Sequence, residues 1–312
     1  MTAVQNSSHW SEYWSDGNLT SLPQDFRANY DGEIAQFWNA QFSHVPEQGK
    51  LIDLCTGNGA VALLASAWFR SQSRVTELYA VDAARIDPRS IARKYPDLAQ
   101  LLSSITLIGG CPVEDIDLPG GEFDLVTSQY GIEYCDWSKA ADQVFRLLKP
   151  CGRFAFISHA VSTDIISYME NEWREYEALE ELKFLSGIEQ YVRGDLAFPD
   201  FQVVMKRSYE VLSGQYPDSP LMAAILNMLA SVVPMDEHTT GQNRARLDQF
   251  QRQISFGRER LKDLLRVNRA IQSNPGWHRV FEQHGLERVD GGDILYQGVH
   301  NSGRYYCFVK PA

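Results

Sequence analysis

The chain is sparing with the features that mark specialised protein classes. Its five cysteines, Cys55, Cys111, Cys135, Cys151 and Cys307, are odd in number, with no C-x-x-C pair and no attendant histidines. That argues against a disulfide framework and a zinc site, and for a reducing compartment. No apolar run approaches the roughly 20 residues that span a bilayer. The opening MTAVQNSSHWSEYW lacks the basic and apolar regions of a signal peptide, so a cytoplasmic protein is expected. Basic residues are in deficit: 29 Lys and Arg against 40 Asp and Glu give a net charge of −11 over 312 residues. Such a surface repels nucleic-acid phosphates and anionic membranes on average. The expected partner is a small molecule, with no nucleic acid and no membrane. The phosphate-loop pattern G-x-x-x-x-G-K-[ST] occurs nowhere. The dinucleotide fingerprint G-x-G-x-x-G fails too, because Ala62 stands where its third glycine belongs.

What is present centres on Leu51–Leu64, LIDLCTGNGAVALL. An apolar run ends in a Gly57-Asn58-Gly59 turn, and Val61, Leu63, Leu64 and Trp68 then recur at helical spacing, which predicts a strand, a turn and a helix. A second strand is expected over Arg74–Asp82, a third over Ser104–Ile108, a fourth over Phe123–Ser128 and a fifth over Arg153–Ser158. Asp87 and Asp136 are the expected helix N-caps, with Pro88 at the first helical position. Strands alternating with helices imply a parallel, doubly wound α/β sheet. Cys55 and Cys151 fall in apolar strand contexts, where cysteine acts as a small hydrophobe.

Residues 1–48 are rich in aromatics, including Trp10, Trp14, Phe26 and Tyr30. Asp31–Phe42 reads as an amphipathic helix, and the segment as lid helices over a pocket or a core edge. Residues 160–273 break the strand–helix rhythm. Leu221–Val233 is nearly all apolar, and Asn243–Gln272 is a long amphipathic stretch interrupted by Gly257 and Asn268, predicting a helical hairpin or a subunit interface. Asn274-Pro275 starts a further helix, and Leu286–Tyr296 with Arg304–Val309 forms a closing antiparallel hairpin. The expected division is therefore 1–48 as lid, 49–159 with 274–312 as the ligand-binding sheet domain, and 160–273 as a helical insertion for acceptor binding or homodimerisation.

In a doubly wound sheet, ligands bind at the carboxyl ends of the strands. Those ends supply Asp53, Gly57, Asn58, Gly59, Asp82, the Cys111–Asp115 loop and Ser128-Gln129-Tyr130-Gly131. An acid closing the second strand, without a phosphate site, suits the ribose of an unphosphorylated nucleoside.

This pattern resembles the class I S-adenosylmethionine-dependent methyltransferases over residues 49–159. Asp53–Gly59 is similar to their D-L-G-x-G-x-G turn, with Cys55 for the first glycine. Leu147–Arg153 is similar to L-L-K-P-G-G-x, with Cys151 for glycine, and Tyr296–Pro311 to the final strands. The resemblance implies a seven-stranded Rossmann-like sheet with S-adenosyl-L-methionine as cofactor. It also implies binding by Tyr30, Asp53, Gly57, Asn58, Gly59, Asp82, Val113, Glu114, Ser128 and Gln129, with Asp82 on the ribose and Val113 and Glu114 beside the adenine. No metal is implied. The reaction is in-line transfer of methyl to an O, N or S atom, and a base is needed only where the acceptor sheds a proton. Candidates for that work are Glu133, Tyr130 and His159, while Trp14 and Tyr134 are candidate substrate contacts. An RNA or protein methyltransferase, or a relative that binds the cofactor without methyl transfer, are the alternatives.

Overall fold

The computed structural model describes residues 8–21, 29–216, 218–298 and 300–312; Phe26 lies outside them. Seven strands form one sheet: β1 (Lys50–Leu54), β2 (Glu77–Asp82), β3 (Ile105–Gly109), β4 (Phe123–Gln129), β5 (Leu148–Ser158), β6 (Glu287–Tyr296) and β7 (His300–Val309). Their order is β3-β2-β1-β4-β5-β7-β6. β1 to β5 are parallel, and β7 lies antiparallel between β5 and β6. This is the α/β, doubly wound Rossmann-like sheet with an antiparallel C-terminal hairpin that the sequence predicts.

Successive strand residues point to opposite faces, so Leu51 joins one core with Trp38, Phe42, Val61 and Phe69, while Ile52 joins the other with Val144, Phe154, Phe156 and Phe281. Helices flank both faces. Among them α1 (Ser8–Ser15) and α2 (Gly32–Phe42) precede β1, and α3 (Ala60–Ser71) follows it. The strand order reverses between the parallel neighbours β1 and β4, which places the loops after these strands side by side, and β5 lies next to β4.

Two local readings change. The Lys149–Gly152 turn is a bulge within β5: Phe123 pairs with Leu148, and Leu125 next pairs with Arg153. Asn274-Pro275 leads into only a 3₁₀ turn, Trp277–Arg279, and a short helix, Val280–Gln283.

By contact the chain divides into residues 1–161 with 267–312, and residues 162–266. The second unit is helical. Thr163–Glu181, Phe184–Arg193, Phe198–Leu212 and Pro220–Val232 enclose Leu179, Ile188, Phe201, Met205 and Leu229, and Tyr191 stacks on Phe201 at 4.3 Å. Pro220–Val232 is less buried than its composition suggests. Met222, Ile225, Leu229 and Val232 form the inner stripe, while Ala223, Ala224, Asn227 and Ala230 face solvent. Arg244–Ser273 is a single helix of 30 residues, so Gly257 and Asn268 do not break it. Gly257 instead gives room to Tyr176, whose hydroxyl would lie 2.8 Å from an added Cβ.

Candidate active site

The turn after β1 is left-handed at Cys55 (φ 55°), Gly57 (φ 54°) and Gly59 (φ 85°). L residues adopt such angles at some cost. Cys55 thus fills a glycine-like position, as does Cys151 (φ 62°) in the β5 bulge, which corrects the reading of both as ordinary strand hydrophobes. Gly57 has a further constraint. A Cβ there would meet the Trp14 indole at 2.5–2.8 Å, so α1 sits directly on the turn. Asn58 secures that contact by donating from Nδ2 to the Trp14 carbonyl at 2.8 Å and the Asn18 carbonyl at 2.7 Å. Gly59 is less crowded, with Leu107 3.7 Å from an added Cβ.

Two buried acids stand under the turn. Asp53 accepts from Thr56 Oγ1 at 2.5 Å and Thr127 Oγ1 at 2.8 Å. Burial pushes its pKa up to about 7 in spite of these bonds, and the neighbouring Asp82 charge adds to the rise. Asp82 closes β2 and accepts from Gly57 N–H and Ala84 N–H, each at 2.7 Å; burial raises it to about 6. A carboxylate offers about four lone-pair positions, so these bonds leave acceptor capacity for hydroxyls.

After β4 the side chains are held in place. Ser128 Oγ accepts from Ile132 N–H at 3.1 Å, and Gln129 Oε1 accepts from Trp38 Nε1 at 2.5 Å. Tyr130 has φ 53° and donates to the Ser302 carbonyl. Tyr30 is buried, which pushes its hydroxyl to about 12, and its ring lies 6.2 Å from Tyr130. Val113 belongs to the sheet core. Glu114 Oε1 accepts from Asp136 N–H at 2.7 Å, at the start of the helix Trp137–Leu147.

Glu133 and His159 form a pair. The Glu133 side chain is wholly buried, and its Oε1 accepts from the His159 backbone N–H at 3.0 Å and lies 2.7 Å from His159 Nδ1. With the Nδ1 proton turned to the carboxylate, the lone pair sits on Nε2. The His159 side chain keeps 20% of its exposure and lies 4.9 Å from the Tyr130 ring and 5.9 Å from the Tyr134 ring. Tyr134 in turn meets Trp10 at 6.0 Å, and Trp10 stacks on Trp14 at 6.2 Å.

The structure therefore gathers Trp14, Asp53, Gly57, Asn58 and Asp82 around one turn, and Tyr30, Tyr130, Glu133, Tyr134 and His159 around the next. It turns Val113, Glu114 and Ser128 to partners within the protein. Thr56 and Thr127, which anchor Asp53, and Trp38, which holds Gln129, escaped the sequence reading. A threonine three residues after a buried acid was the available signal for Thr56; Trp38 gave only its place on a helix face. Asn58 Oδ1, Gln129 Nε2 and Glu133 Oε2 are buried without hydrogen-bond partners. Three orphaned polar atoms at adjacent strand ends suit a polar ligand rich in donors and acceptors, and the donor set fits a nucleoside bearing an amino-acid chain. Among the described residues no group of three His, Cys, Asp or Glu could hold a metal ion, and no helix is long and apolar enough to cross a membrane.

A family model described as a methyltransferase domain matches residues 26–189. No curated protein matches the chain in sequence. Among solved structures, a complex of the Haloferax volcanii Trm112 methyltransferase activator with a provisionally assigned methyltransferase is 12% identical, with a TM-score of 0.48, and covers 97% of this chain and 98% of that one. Phosphoethanolamine N-methyltransferase 2 of Haemonchus contortus, in complex with S-adenosyl-L-methionine, is 16% identical, with a TM-score of 0.40 and coverage of 98% and 57%. A geranyl diphosphate methyltransferase is 10% identical, with a TM-score of 0.42 and coverage of 89% and 84%.

Proposed function

The chain belongs to the S-adenosylmethionine-dependent methyltransferases, and from that premise we propose that it methylates a small molecule at an O, N or S atom that sheds a proton. The observation that carries the reading is the Glu133–His159 pair. A buried carboxylate on Nδ1 fixes one imidazole tautomer and leaves Nε2 to accept a proton from the acceptor. Glu133 is then a positioning residue, and its charge stabilises the imidazolium that forms. The Tyr130 and Tyr134 rings lie beside the base, suited to holding an acceptor in place.

S-adenosyl-L-methionine, when bound, supplies a methyl group activated by its sulfonium. Asp82 takes the ribose hydroxyls with its remaining lone pairs. Asn58 Oδ1 and Gln129 Nε2 offer an acceptor and a donor to the amino-acid end. The left-handed Gly57 and Gly59 add no side chains of their own to the turn, and α1, with Trp14 packed on Gly57, excludes water. Residues 160–273 are assigned, in the same proposal, to acceptor selection or to pairing of two copies. The net charge of −11 favours a small acceptor over RNA.

One experiment tests both halves. Labelled cofactor incubated with a metabolite extract identifies the acceptor, and variants are then compared by turnover and by calorimetry with S-adenosylhomocysteine. Asp82→Ala should weaken binding about tenfold to hundredfold, in keeping with roughly 1.5–3 kcal/mol for a charged hydrogen-bonding group. His159→Ala should lower turnover about 10²–10⁴-fold with affinity nearly unchanged. Full turnover without His159 would refute the base, and unchanged affinity without Asp82 would refute the ribose assignment.

A further inference from the structure

Two thiols meet beside the turn that follows β1. Cys55 Sγ and Cys135 Sγ are 3.6 Å apart, and both cysteines are free. The loops that carry them are already in tight contact, since a Cβ on Gly131 would stand 2.3 Å from Cys55 Cβ. Cys135 also lines an open pocket of about 570 Å³ together with Trp137 and Trp277, which brings small solutes to this residue.

We propose that Cys55 and Cys135 form an oxidative modification site, a dithiol that a peroxide converts to a disulfide and that thereby lowers cofactor affinity. The Cys135 sulfur attacks a peroxide oxygen, giving a sulfenic acid and one water. The Cys55 sulfur then attacks that sulfur, the S–S bond forms, and the sulfenic oxygen leaves as a second water. The two thiols lose two electrons and two protons, and hydrogen peroxide is reduced to two waters. The order follows the surroundings. Cys55 is kept as a thiol, because its hydrogen bond to Cys135, burial, and the Cys135, Asp82 and Glu114 charges hold its pKa well above the usual thiol range. Cys135, at the pocket, reacts first, and Cys55, packed against the Gly131 loop, resolves the sulfenic acid as its own proton leaves.

Bonding draws the sulfurs from 3.6 Å to about 2.0 Å. Cys55 stands two residues before Gly57, whose N–H is bonded to Asp82, so a covalent tie to Cys135 fixes the backbone that leads into the cofactor turn. The inference rests on the cofactor turn and is independent of the acceptor and of His159.

The test uses the full chain, hydrogen peroxide, peptide mapping without reduction, and calorimetry with S-adenosylhomocysteine. The expected result is loss of two thiols per chain, a Cys55–Cys135 cross-linked peptide, and affinity lowered about tenfold or more, all reversed by dithiothreitol. Cys135→Ser should keep its affinity before and after peroxide. Saturating S-adenosylhomocysteine should lower the fraction cross-linked at equilibrium in a glutathione redox buffer, because coupling between the two events is reciprocal. The proposal is overturned if no such cross-link forms, if it forms with affinity unchanged, or if peroxide weakens binding equally in Cys135→Ser. Affinity and not turnover is the readout, so failure here is distinct from failure of the proposed base.

Discussion

Asp53 holds a charge that the folded chain keeps at a cost. Its oxygens are bonded to Thr56 and Thr127, yet burial still raises it to about 7, and Asp82 rises to about 6 for the same reason. An unfolded Asp titrates near 3.9, so between about pH 4 and 7 the folded state binds more protons than the unfolded state. The contribution of these acids is fully present below that window and is lost as pH rises through it. In the cofactor-free protein, Asp53→Asn should remove part of this slope. Subtracting variant from wild-type unfolding free energies across pH 4–8 cancels the groups they share. The difference should run against the wild type as pH increases, and a flat difference would show that Asp53 titrates as an ordinary carboxylate.

The turn after β1 shows what sequence could and could not supply at the scale of an element. Strand, glycines and helix were legible because each follows from local chemistry: a short apolar run, residues free to take positive φ, and helical spacing. Asp87 and Asp136 cap their helices as expected, accepting from Arg89 N–H and Lys139 N–H. The packing of α1 onto Gly57 was not legible, because Gly57 lies 43 positions after Trp14 and nothing local links them. Nor was the Cys55–Cys135 approach, which depends on β1 and β4 being neighbours. Gly57→Ala tests the α1 contact. Its methyl would stand 2.5–2.8 Å from indole carbons of Trp14, so helix and turn must part. Hydrogen exchange in Ser8–Ser15 should quicken while the amides of β1 and β4 keep their protection. Unchanged exchange in α1 would mean that the turn adapts and the helix does not depend on it.

Across the whole molecule the acidic excess of −11 acts on ligands through their charge. At neutral pH S-adenosylmethionine carries about one net positive charge and S-adenosylhomocysteine about none. Raising ionic strength from about 0.01 M to about 0.15 M shortens the screening length from about 30 Å to about 8 Å. The preference for the charged ligand should then fall a few-fold, measured by calorimetry at both salts. A constant ratio would place the discrimination wholly in short-range contacts. The placement of β7 has another consequence, in time. Ser158 pairs with Arg304, 146 positions further along the chain. Closing so long a loop delays the β5–β7 ladder relative to pairings such as β1 with β2. Until it closes, β5 presents an open edge of unpaired amides and carbonyls to every other chain in solution. Refolding yield should therefore fall with protein concentration during this slow step, with the half-built sheet as the species that aggregates.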